Sequence, residues 1–220
     1  MFSFIMNLLI FLLTFVALGM MFFGHSEGKA LSGKRFKAFK YFTVDSNVLM
    51  GIVALIYAIQ MLPGLRETVG EITTNSSETV LAVPYWCIVL KLVSASAVAL
   101  TMVTVLVFLG PTAEEGYPSM FTGSNFFFHL IIPLLSILDF IFLTPKVEIP
   151  FAHTLYGIIP SVIYGSVYMV NVLKHAENGH VSGKYDWYGF VRAGTKYSAL
   201  AAVVVISAGF ILTVLLWLCK

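Results

Sequence analysis

Long apolar runs separated by short polar connections set the pattern of this chain. A helix needs about 20 apolar residues to cross the hydrocarbon of a bilayer, and there it satisfies its own backbone hydrogen bonds. Six runs meet that length, approximately Phe4–Phe23, Tyr41–Leu62, Pro84–Leu109, Asn125–Leu143, Phe151–Leu173 and Tyr197–Leu218. They predict an all-α fold, a polytopic membrane helix bundle of about six transmembrane helices, with residues 1–220 forming one integral membrane domain. Breakers lie where the runs stop. Pro63-Gly64 is expected to end the second span and Gly110-Pro111 the third, while Pro145 and Pro150 bracket a tight link that makes a hairpin of the fourth and fifth. Pro133 and Pro160 fall inside spans and predict kinks, because each removes one backbone donor and crowds the carbonyl four residues before it. The first run has no basic region ahead of it and no small-residue cleavage pattern, so it reads as a spanning helix and not as a secretion signal.

Composition agrees with the pattern. Apolar residues make up 59% and charged residues 11%, against roughly 25% charged in an ordinary soluble domain. A net charge of +2, with basic residues beside apolar runs and not interleaved with aromatics, argues against nucleic acid as a partner and for membrane lipids. Two cysteines, Cys87 and Cys219, exclude a disulfide framework. His25, His153, His175 and His180 show no helical metal-ligand spacing, so neither a metal nor a cofactor is expected.

Six spans place the first, third and fifth connections on one face, side A, and both termini with the other connections on side B. Side A carries Lys29, Lys34, Arg35, Lys37, Lys40, Lys174, Lys184, Arg192 and Lys196; side B carries Arg66, Lys146 and Lys220. This bias predicts that loops one, three and five are cytoplasmic in a multi-pass protein, with the membrane type left open. On side B, Asn75-Ser76-Ser77 matches a glycosylation acceptor, a pattern short enough that a plain solvated loop is the simpler reading.

Polar side chains inside the spans carry the candidate chemistry, since an ionisable group in hydrocarbon is costly and needs a partner or a task. Thr43 lies roughly 3 Å inside the second span and His129 roughly 6 Å inside the fourth, both counted from side A by the helical rise. One shallow slab therefore holds a hydroxyl and an imidazole, the makings of a nucleophile and its general base for acyl transfer. Asn47 and Asn125 stand four residues from Thr43 and His129, so each is expected on its neighbour's helix face as a supporting group. Membrane threonines also bond back to their own helix and membrane histidines fasten helices together, so the pattern alone favours a structural reading while permitting the catalytic one. Lys91 and Asp139 lie at matching depth toward side B, which predicts an ion pair, structural or substrate-binding. The aromatic stretch Tyr185–Phe190 reads first as rings that anchor helices at the water boundary, with a lid over the side A slab as the second reading.

Four stretches carry a family resemblance: Lys40-Tyr-Phe-Thr43, His129-Leu-Ile-Ile-Pro133-Leu-Leu-Ser-Ile-Leu-Asp139, the Tyr- and Pro-containing fifth span, and the aromatic loop before the sixth. In this order they resemble the androgen-induced protein family and bacterial integral membrane proteins of the same pattern. That resemblance implies a six-span threonine hydrolase acting on fatty acid esters of hydroxy fatty acids. The essential threonine and histidine would fall on Thr43 and His129. Val44-Asp45-Ser46-Asn47, which follows Thr43, is more polar than the animal enzymes lead one to expect, which leaves the lipid ester substrate open. The competing function is a non-catalytic membrane carrier or lipid-binding protein in which Lys91, Asp139 and His129 line a polar pathway.

Overall fold

The computed structural model describes residues 1–23, 35–113, 116–191 and 193–220 apart from 71–82, with backbone alone for 63–70. The Asn75-Ser76-Ser77 triplet, His25, Lys29, Lys34 and Arg192 lie outside the described residues, as does the side chain of Arg66.

Six helices are long and apolar enough to cross a membrane: α1 (Phe2–Phe23), α2 (Phe42–Gly70, apolar to Leu62), α3 (Tyr85–Thr112), α4 (Ser124–Leu143), α5 (Phe151–Lys174) and α6 (Thr195–Trp217). The fold is an all-α bundle, with no strand among the described residues. Its outer surface is studded with exposed Phe15, Val107, Val167 and Val203, as expected where lipid tails replace water as solvent.

Two breakers act differently from the sequence expectation. Pro63-Gly64 does not end α2, whose backbone runs on to Gly70, and Gly110-Pro111 does not end α3, which continues to Thr112. A proline removes only one backbone bond, and a helix can absorb that loss by changing its winding locally. Such changes recur in this chain. Residues Val105–Leu109, Phe127–Ile131 and Asp139–Leu143 are wound as π-helix, while Phe151–Ile158 is 3-10 helix. Pro133 would crowd the carbonyl of His129, four residues earlier, and the π turn that relieves the clash is the one that carries His129. At Pro160 the chain passes from 3-10 to α winding, so both expected irregularities take the form of altered helix type.

Hydrogen bonds between connections define the two ends. At one end Tyr164 Oη donates to the Lys40 carbonyl (2.5 Å) and the Phe42 amide donates to Tyr188 Oη (2.8 Å), joining loop five to the start of α2. At the other, Lys220 Nζ donates to the Thr144 carbonyl (2.7 Å) and Trp217 Nε1 to the Ile149 carbonyl (2.5 Å), joining the end of α6 to the α4–α5 link. These bonds place loops one and five at one end and the α4–α5 link with the C-terminal residues at the other. Close helix approaches use small residues, which let backbones meet without lipid between them. A Cβ at Gly51 would lie 2.8 Å from Thr14 of α1, and one at Gly157 would collide with Thr213 of α6.

Candidate active site and a buried ion pair

Thr43 sits in the first turn of α2, 5% exposed, and lines a cavity of about 280 Å³. The cavity lies among α2, α3, α5 and α6 at the side A half of the bundle, with Leu100, Thr101, Met169 and Val205 among its walls. Its lining is predominantly apolar, and no hydrogen bond from another described residue reaches the Thr43 hydroxyl. Loop five forms the roof, through Tyr188 and Phe190. Asp186 holds that roof in shape: its carboxylate accepts hydrogen bonds from Tyr168 Oη and from the amides of Phe190 and Val191 (3.1 Å each). Trp187 Nε1 donates to Tyr164 Oη (3.0 Å), and Lys40 Nζ lies over the Tyr41 and Trp187 rings at 4.8 and 5.4 Å. Burial, and then the neighbouring Lys37, lowers the pKa of Lys40, while burial raises that of Tyr188 well above its ordinary value. The aromatic loop is thus packed against the entrance to α2, in the place anticipated for a lid.

His129 is fully buried in the π turn of α4. Its Nδ1 lies 2.6 Å from the Met120 carbonyl oxygen. A carbonyl can only accept, so Nδ1 carries the proton and a neutral ring must leave Nε2 with its lone pair free. Nε2 has no partner among the described residues, and neither has Asn47 Oδ1. His129 does not line the cavity, and no hydrogen bond joins it to Thr43. Asn47 connects the two neighbourhoods: its Nδ2 donates to the carbonyl of Thr43 (2.7 Å) and to that of Phe128 (2.9 Å), the residue before His129. Ser46, beside it, shares a hydrogen bond with Thr101 on the cavity wall (2.9 Å). Asn125 is half-buried and makes no side-chain hydrogen bond among the described residues.

Lys91 and Asp139 meet at the side B end as a fully buried ion pair, away from the cavity. Lys91 Nζ also donates to Thr144 Oγ1 (3.0 Å) and faces the Tyr57 ring at 3.9 Å. Asp139 further accepts from Ser3 Oγ (3.2 Å) and from Asn7 Nδ2 (3.1 Å). Sequence reasoning missed Ser3, Asn7 and Tyr57. The signal was present in α1, where Ser3, Asn7, Ile10, Thr14 and Ala17 recur at helical spacing and form its buried stripe. Among the described residues no cluster of three metal-ligating side chains occurs. Compared with known proteins, the chain matches no family model, no curated protein and no solved structure.

Proposed function

We propose that the protein is an intramembrane lipid-ester hydrolase with Thr43 as nucleophile and His129 as general base. The observation that carries this reading is the position of Thr43, whose hydroxyl receives no hydrogen bond among the described residues, in the wall of an apolar cavity among α2, α3, α5 and α6. His129 adds a base whose proton is held on Nδ1 by Met120, leaving Nε2 to accept another. Thr43 Oγ attacks the ester carbonyl carbon and its proton passes to Nε2. The tetrahedral adduct expels the alcohol, which takes that proton back, and water then cleaves the acyl-threonine with His129 again as base. Asn47, bonded to the backbone on both sides, positions α2 against α4; the mechanism needs the Thr43–His129 hydrogen bond to form when an ester seats, as catalytic bonds commonly tighten in the complex. Fatty acid esters of hydroxy fatty acids are the substrates implied by the family resemblance.

Long-chain ester hydrolysis by purified protein tests the assignment. Thr43→Ala and His129→Ala are each expected to lower turnover by on the order of 10⁴-fold, and the double variant by little more, because nucleophile and base act as a unit. Independent structural roles would instead give additive losses of stability and residual turnover in each single variant. A protein that hydrolyses no lipid ester leaves the carrier reading in its place.

The excess of basic residues on side A supports a cytoplasmic location for that end. A cysteine introduced at Ser182, in a chain lacking Cys87 and Cys219, should react with an impermeant maleimide only after permeabilisation; reaction in intact cells reverses the orientation.

A further inference from the structure

The fifth and sixth spans are closely packed toward side B and part toward side A. At the packed end the Gly157 position touches Thr213, and further along a Cβ at Gly209 would meet Ser161 at 3.6 Å. Beyond that, a Cβ at Gly165 would meet nothing within 4 Å. Where the helices part, both line the cavity: Val162, Gly165 and Ser166 on α5 and Ala201, Ala202 and Val205 on α6. Val162 and Ser166 are exposed on the outer surface as well as lining the cavity, so the opening between the helices communicates with the outside of the bundle.

Depth identifies what lies outside. By the helical rise, Ser166 and Ala202 stand roughly 5–7 Å from the midpoints of their spans, well within the ~15 Å half-thickness of the hydrocarbon. Thr43 lies roughly 14 Å from the midpoint of the apolar part of α2, at the hydrocarbon boundary. The cavity therefore has a polar head at the depth of lipid ester groups and a side opening at the depth of acyl tails, while loop five covers its side A end. Its volume of about 280 Å³ is roughly nine times the ~30 Å³ share of a water in the liquid, space for a chain segment of on the order of ten carbons.

We propose that the gap between α5 and α6 at Gly165, Ala201 and Ala202 is a lateral portal through which one acyl chain of a membrane lipid enters from the bilayer, with its carboxyl-derived end toward Thr43. The small residues set the width of the portal and select an unbranched chain over a branched one. This deepens the hydrolase reading and rests on it for the role of Thr43, but occupancy of the portal is measurable without turnover.

The test uses full-length protein carrying Thr43→Ala in nanodiscs with a palmitic acid bearing a photoreactive diazirine in its tail. Adducts should map to Met169, Val205 or Ile206. Gly165→Leu and Ala202→Phe should each cut that labelling about tenfold or more, the scale of a misfit in an apolar pocket. Val167→Phe and Val203→Phe, on the outer surface, should leave it unchanged. Ser166→Trp, at the exposed rim, provides a plug whose folding does not depend on core packing. Adducts confined to outward-facing residues, or labelling of the cavity that survives all three plugs, overturns the portal. In the parent chain, plugs that spare hydrolysis sink the portal alone, whereas portal-dependent labelling in a protein that hydrolyses no ester sinks the hydrolase reading alone.

Discussion

At the side B end the buried ion pair is supplied with partners: Asp139 receives Lys91, Asn7 and Ser3, and Lys91 adds Thr144 and the face of Tyr57. At the side A end His129 Nε2 has no partner among the described residues, and Thr43, in the wall of the cavity, receives no hydrogen bond from them at its hydroxyl. Two neutral atoms, Asn7 Oδ1 and Tyr57 Oη, are also unpartnered among the described residues near the ion pair, but the side A cavity does not reach them. The contrast separates two uses of polarity in a membrane. A charge whose bonds are all made internally fastens helices, in this case α1, α3 and α4. An uncharged base with a spare lone pair near an apolar cavity is available for chemistry, and leaving it unpaired is a standing destabilisation that function can explain.

If side B is a fastening, its removal should act on stability in graded steps. Lys91→Met or Asp139→Leu alone strands a buried charge and should cost about 3–5 kcal/mol, read as a lower melting temperature in detergent. The Lys91→Met/Asp139→Leu double variant should recover part of that loss, since no charge remains buried, although Asn7 and Ser3 lose an acceptor. Ser3→Ala, which removes one hydrogen bond to a carboxylate that keeps its others, should cost about 1–2 kcal/mol. Single variants of Lys91 and Asp139 that melt like the parent would dissolve the distinction between the two ends.

The six spans and the depth of the polar residues were legible because helix length and the 1.5 Å rise per residue are nearly independent of tertiary context, whereas α4 and α5, expected to pair as a hairpin across their short link, each pack on α3 instead. Lys91 and Asp139 could be matched on depth alone. Winding was not legible. Prolines 63 and 111 read as stops, yet a helix tolerates the loss of one backbone bond, and nothing in the residue pattern marked the π turn that carries His129. Met120 was equally invisible: its contribution is a backbone carbonyl, which any residue could supply. Ser3 and Asn7 were overlooked because α1 is so apolar on average that its narrow polar stripe does not stand out.

Covalent capture of the nucleophile tests the central claim most directly. A long-chain alkyl fluorophosphonate incubated with the purified protein should leave one adduct, mapped by peptide mass to Thr43. That adduct should be absent from Thr43→Ala and form at least about 100-fold more slowly in His129→Ala, where the general base is missing. An unlabelled Thr43 in protein that turns over lipid ester, or an adduct on another hydroxyl, would contradict the account.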